Sequence, residues 1–382
     1  MNKKLLAVAL ATAFAAPAMA EGVTIYGAFD VGVLVRSGHT NAEKTTATGS
    51  STQTQVRSGM NGHNGIGFKM SEDLGNGMTI SGDAFFTFAL DSGINAAGLG
   101  SNGGAGGLST LYSYLALSGD FGTVIAGRAG GARAGFIKQY DPFGGFGVGN
   151  ALGVHSSVRG NADYADNVIA YITPEVTPGL KFLAAYTTNL VGQDPTPAGS
   201  NAVGAVKVST PLYAVAALYN QGPISLTAAY ENLSLQGLSA LFAVKEAGHK
   251  DVWTGAGSYD FGVLKAMALY QQISNYTHGW QVGATAPMGA ATLKIGYASS
   301  KNNLTNLPGS ADTCSKVAVG VNYDLSKRTR FYADAAHLTE DRGCTDGIDT
   351  NGGTYSSGSG TALDGGSGYG KNGFAAGIRH SF

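Results

Sequence analysis

The chain has 382 residues, 24 basic and 25 acidic side chains, 59 glycines, 18 tyrosines and 16 phenylalanines. Charged residues make up only 13% of it, about half the usual ~25%, and no basic excess points to nucleic acid. An apolar share of 43% excludes a charge-extended disordered chain.

The first twenty residues read as a secretory signal. Lys3 and Lys4 form a charged start, Leu5 to Ala16 a short apolar stretch, and Ala18-Met19-Ala20 the small residues before a cleavage site. Cleavage after Ala20 leaves a chain beginning at Glu21 with 22 basic residues, the 24 less Lys3 and Lys4, against 25 acidic. No later stretch approaches the ~20 continuous apolar residues of a membrane helix. A barrel strand, however, shows lipid only every second side chain, so alternation is the feature to test.

Sixteen strands are predicted. In chain order they run Val23 to Arg36, Asn64 to Met70, Met78 to Leu90, Thr110 to Leu117, Thr123 to Gly130, Asp163 to Thr173, Leu180 to Asn189 and Leu212 to Tyr219. The second eight are Ile224 to Ser234, Asp251 to Ser258, Val263 to Ser274, Gly279 to Thr285, Ala291 to Ser299, Lys316 to Asn322, Arg328 to Thr339 and Lys371 to Phe382. Short turns rich in Gly, Asp, Asn and Pro, such as Ser71 through Gly77 and Ala286-Pro287-Met288-Gly289, join the strands in pairs. Longer Gly-, Asn- and Ser-rich stretches lie between the pairs. Short turns on one side and long loops on the other are the habit of outer-membrane barrels, with the short turns at the periplasm.

In the first strand Val23, Ile25, Phe29, Val31, Val33 and Val35 share a face, opposite Thr24, Tyr26, Asp30 and Arg36. In the third, Met78, Ile80, Ala84, Phe86, Phe88 and Leu90 oppose Thr79, Ser81, Asp83 and Thr87. In the thirteenth, Leu293, Ile295 and Tyr297 oppose Thr292 and Lys294. A two-residue period with apolar side chains outside inverts a soluble barrel and implies a wet lumen. Sixteen strands enclose an aqueous channel, and the last strand must pair with the first to leave no edge in lipid.

Several stretches carry a family resemblance: Val23-Thr24-Ile25-Tyr26-Gly27, Gly67 through Gly75, Leu117 through Val124 with Gly127-Arg128, Asp141-Pro142-Phe143-Gly144 and Gly377 through Phe382. In this order, ending in Phe, they resemble the trimeric porins of β-proteobacteria, the neisserial and Bordetella or Burkholderia type. The resemblance implies an all-β, 16-stranded antiparallel barrel with its third loop folded into the lumen, a homotrimer, and passive diffusion of small hydrophilic solutes. It also implies that the closing strand ending in Phe382 is read as an assembly signal by the barrel-assembly machinery. Outer-membrane lipid and lipopolysaccharide would surround the barrel. Ser381 stands where the family usually has a basic residue, and the third loop is unusually glycine-rich from Gly144 to Gly153.

Loop three, Gly131 to Gly160, is the sharpest candidate for a pore constriction. It carries Arg133, Lys138 and Arg159 against the single acid Asp141, with His155 able to add charge at low pH. Charges held in a narrow pore focus the field on passing ions. By alternation Arg36, Lys69, Lys181, Lys294 and Lys316 face the lumen, with Asp30, Asp83 and Asp91 opposing them, so a weak anion preference is expected. Strict alternation puts Arg128 toward lipid, where an arginine is costly, so a bulge or a rim position is expected there, and the resemblance favours a pore role. Cys314 and Cys344, at the outer ends of neighbouring strands, form a candidate disulfide in an exported chain. The sequence contains no nucleophile elbow, zinc spacing or phosphate loop, so no catalytic, metal or cofactor site is expected. An adhesive barrel with a plugged pore is the competing reading.

Overall fold

The computed structural model describes residues 22–38, 52–91, 109–152, 154–155, 164–188, 211–234, 249–274, 277–302, 313–340 and 370–382. The proposed signal segment, Arg159 and Cys344 lie outside them. The strands are β1 (Gly22–Ser37), β2 (Thr52–Ser58), β3 (Gly65–Gly75), β4 (Met78–Thr87), β5 (Ser109–Gly119), β6 (Gly122–Gly130), β7 (Tyr164–Ile172), β8 (Leu180–Thr187) and β9 (Leu212–Gln221). They continue as β10 (Ile224–Ser234), β11 (His249–Asp260), β12 (Lys265–Ile273), β13 (Thr277–Met288), β14 (Ala291–Asn302), β15 (Thr313–Asp324), β16 (Thr329–Glu340) and β17 (Asn372–Ser381), with one helix, α1 (Ala132–Gln139), between β6 and β7.

Each strand from β3 onward pairs antiparallel with the next, and β17 returns to β1 from Ala28↔Ser381 to Ser37↔Asn372. The sheet is therefore closed. β2 and β3 are two halves of one stave: β3 pairs with Gly22–Ala28 of β1 and β2 with Val31–Ser37. Seventeen segments thus make sixteen staves. The outer half, Thr52–Ser58, was not expected. Its one large apolar outward residue is Val56, so alternation gives no signal there.

The turns follow from their residues. Asn76 (φ 52°) and Gly77 (φ 74°) join β3 to β4 with the two positive φ values of a primed hairpin turn, for which Asn-Gly is the favoured pair. At the seam, Phe382 N–H donates to Gly27 O at 3.0 Å and Gly27 N–H to Phe382 O at 3.2 Å. The Phe382 ring lies over Gly27, where a Cβ would stand 2.4 Å from its Cζ, so glycine admits the terminal aromatic.

Outward residues form an apolar belt, among them Val23, Ile25, Phe29, Val33, Ile169, Val215, Ile295 and Val319, all exposed. Inward positions hold Asp30, Asp83, Glu231, Lys294, Lys316 and Asp334. Among the described residues no helix is long and apolar enough to cross a membrane. The return of β17 to β1 leaves no free edge at the seam, which is what a lipid environment requires.

Candidate functional site

The segment after β6 is built from local signals. Ala132, Arg133, Ala134, Lys138 and Gln139 favour helix α1 despite Gly135, and it ends before Pro142, a residue that cannot continue it. Asp141 then organises the turns: its carboxylate accepts the N–H groups of Phe143, Gly145 and Ala151, each at 3.0 Å. Burial pushes this carboxyl above its usual range, opposed by those three N–H groups and by the Lys316 charge. The glycine-rich run is thus an ordered set of turns, with Gly144, Gly145 and Gly147 at positive φ.

The anchors of this segment lie on the sheet face opposite the apolar belt. Arg133 Nε donates to Glu231 Oε2 of β10 at 2.8 Å, with both side chains buried. Gln271 Nε2 of β12 donates to Arg133 O at 3.3 Å and to Thr254 Oγ1 of β11 at 3.1 Å. Gln281 Nε2 of β13 donates to Ile137 O at 3.1 Å and Tyr140 O at 2.8 Å. The Tyr140 hydroxyl meets Thr227 Oγ1 at 2.9 Å, and Ser300 Oγ donates to Val154 O. Pro142 and Phe143 sit on wall glycines: a Cβ at Gly283 would lie 2.3 Å from Pro142 Cγ, and one at Gly320 3.0 Å from Phe143 Cε1. Beneath Phe143, Lys294 Nζ is 2.7 Å from Asp334 Oδ1 and 4.6 Å from the ring centre.

The break between β2 and β3 supplies a second element. Asp30 holds it: Asp30 N–H donates to Asn64 Oδ1 at 2.5 Å, Asn64 Nδ2 returns to Asp30 O at 3.1 Å, and Asn61 N–H donates to the Asp30 carboxylate. Tyr332 of β16 donates its hydroxyl to the same carboxylate at 2.7 Å. His63 in this break meets Phe146 edge to face, with ring centres 4.8 Å apart. A Cβ at Gly147 would lie 2.8 Å from Met60 O, so the two segments touch.

The expected site residues fall into different settings. Lys69 is on the inner wall, 45% exposed, 3.8 Å from Asp83. Arg36 is buried and donates through Nη2 to Gln53 at 2.7 Å and Gln55 at 3.2 Å. Lys138 lies over the Tyr164 ring at 5.4 Å. Strict alternation fails at Arg128, where the β6–β7 register shifts between Gly127 and Ala129. There Arg128 pairs with Asp166, and its Nε donates to Leu111 O at 3.0 Å. The bulge takes the guanidinium out of the lipid row. Cys314 is buried at the end of β15, and no free cysteine occurs among the described residues. Glu231, Asp334, Gln271 and Gln281 were missed: each is an inward polar residue, but only the fold reveals what it holds.

A closed antiparallel barrel with an apolar outside, a polar inside and a segment anchored to its inner wall defines an outer-membrane channel protein. A family model described as Gram-negative porin matches residues 7–343, and the chain belongs to that family. An outer membrane porin of Bordetella pertussis is 28% identical over 87% of this chain and 93% of its own. Outer membrane porin protein 32 of Delftia acidovorans is 27% identical over the whole of both chains. Among solved structures, the anion-selective porin from Comamonas acidovorans superimposes with a TM-score of 0.68 at 23% identity, covering 95% of this chain and 100% of that one.

Proposed function

We propose that this outer-membrane porin is a general diffusion channel with a weak preference for anions. Small hydrophilic solutes pass down their gradients through a lumen narrowed by the segment 131–155, folded inward as loop three. The observation that carries the reading is the anchoring of that segment to the inner side of four strands, β10 and β12 through β14. Anion preference rests on the inner-wall charges. The acids Glu231 and Asp334 are buried in ion pairs, whereas Lys69 keeps nearly half its side chain in the lumen. The Comamonas neighbour, an anion-selective porin by name, supports the same sign. Arg36, Arg128 and Lys138 are assigned to the rim of the constriction, with Arg133 and Asp141 holding it in shape, and Arg159, outside the described residues, stays a constriction candidate from the sequence. No covalent chemistry is assigned to any of them.

The reading extends to export and assembly: removal of residues 1–20, recognition of the Phe382 end by the barrel-assembly machinery, a homotrimer set in lipid and lipopolysaccharide, and a Cys314–Cys344 bridge. Proteoliposomes carrying the protein should swell in neutral sugars at rates that fall steeply with sugar size. Vesicles that stay as tight as protein-free ones would establish the plugged, adhesive reading instead.

A further inference from the structure

One side of the inner wall is paved with aromatic rings that the passage of small ions does not require. Tyr26 of β1 and Phe85 of β4 have ring centres 5.7 Å apart, and Phe85 stacks with Tyr112 of β5 at 5.8 Å and 19°. Between them β3 contributes Gly67, where a Cβ would stand 2.3 Å from Tyr26 Cζ, so the tyrosine ring lies flat across the backbone. The paving continues through Tyr112 and Tyr164, 6.3 Å apart and 24° from parallel, and reaches Tyr114 at 6.1 Å from Tyr112. These four tyrosines are half-buried, so each keeps part of its ring toward the lumen. At strand spacings of about 4.8 Å the patch is roughly 15 Å wide from β1 to β5.

Cations edge the paving. Lys69 Nζ lies 4.5 Å from the Tyr26 ring centre, Lys138 Nζ 5.4 Å from that of Tyr164 and Arg128 Cζ 5.7 Å from the same ring. Of the nearby acids, Asp83 is buried, accepts the Tyr26 hydroxyl at 2.5 Å and lies 3.8 Å from Lys69 Nζ, and Asp166 pairs with Arg128. Flat π faces beside ammonium groups, with Lys69 45% exposed and its partner Asp83 buried, favour a solute having one planar ring and one negative charge. We propose that this patch is a binding site for planar aromatic carboxylates, whose ring packs on Tyr26 and Tyr112, backed by the buried Phe85, while the carboxylate meets Lys69 or Lys138. The site rests on the channel reading for its route of access.

The test uses benzoate, with cyclohexanecarboxylate as a probe of equal charge and similar bulk but no π system. Added to the reconstituted barrel in KCl, benzoate should reduce the ion current at a concentration roughly 2- to 10-fold below cyclohexanecarboxylate, the ratio an aromatic contact of ordinary strength provides. Tyr112→Leu should erase the difference between the probes, and Tyr164→Leu supplies a second variant should the first assemble poorly. Equal action of the two acids, or a benzoate preference that survives both substitutions, overturns the site. Ligand-observed NMR on detergent-solubilised trimers or monomers compares the same two acids without any current. A barrel that passes no ions yet prefers benzoate would therefore sink the channel reading alone, and one that conducts without preference would sink the site alone.

Discussion

Breaking the Arg133–Glu231 pair is the perturbation most directly readable from the hydrogen bonds that tie the α1 segment to the sheet. The two groups are 2.8 Å apart, with 2% and 4% of their side chains exposed. At an effective dielectric of about 20 the attraction is about 6 kcal/mol, comparable with the several kcal/mol each ion loses on leaving water. The intact pair is therefore close to neutral in net terms, but removing one partner strands the other at a cost of about 3–5 kcal/mol. Taking about 4 kcal/mol, Arg133→Met or Glu231→Met lowers the ratio of docked to released segment near a thousandfold. In planar bilayers either single variant should give a noisy, flickering current. The double variant, with no buried charge left over, should be quiet again and should keep the parent's reversal potential, because the pair contributes no net charge. Single variants as quiet as the parent, or a double variant as noisy as the singles, would refute the reasoning.

Three further outcomes follow from the same geometry. Because burial raises the Asp141 carboxyl above its ordinary value of 3.8, the docked segment binds that proton more tightly than a released one. Its contribution to docking is then fully present below that ordinary value and declines as pH rises through the raised one, so current noise should grow across that window and Asp141→Asn should flatten the profile. Non-reducing mass analysis should find no free thiol, and Cys344→Ser should expose the Cys314 thiol and lower stability by about 3–4 kcal/mol, the chain-entropy value for a loop of roughly 30 residues. Two free thiols in the parent protein would dispose of the bridge. Deleting Phe382 removes two seam hydrogen bonds and a ring from Gly27, about 3 kcal/mol in all. The temperature at which the folded band disappears in gel mobility should drop, and an unchanged temperature with reduced membrane insertion would make the residue an assembly signal without a role in the seam.

Alternation made the staves legible wherever large apolar and polar side chains take turns, as in β1, β4 and β14, and turn chemistry fixed where the short reversals fall. Thr52–Ser58 escaped because polar residues on both faces leave a period of two with nothing to contrast. Arg128 showed itself as an anomaly, a charge in the lipid row, and the β6–β7 register shift is its physical resolution. The candidate site was readable as a basic, glycine-rich stretch but its wiring was not. Arg133 and Glu231 are 98 positions apart, and only the curvature of the closed sheet brings them together. The wall glycines Gly283 and Gly320 look like ordinary strand glycines in the sequence, and their need for close approach emerges only once Pro142 and Phe143 rest on them. Counting charges overweighted Arg133, buried in a 2.8 Å pair, relative to Lys69, whose pair with Asp83 is longer at 3.8 Å and whose side chain is 45% exposed.

The reversal potential of the reconstituted protein across a KCl gradient tests the central claim most directly. A water-filled channel whose inner wall leans positive should open in discrete conductance steps and reverse on the chloride side of zero. Lys69→Glu should move that reversal toward potassium. Absence of conductance steps, or a potassium-side reversal that Lys69→Glu leaves in place, would contradict the account.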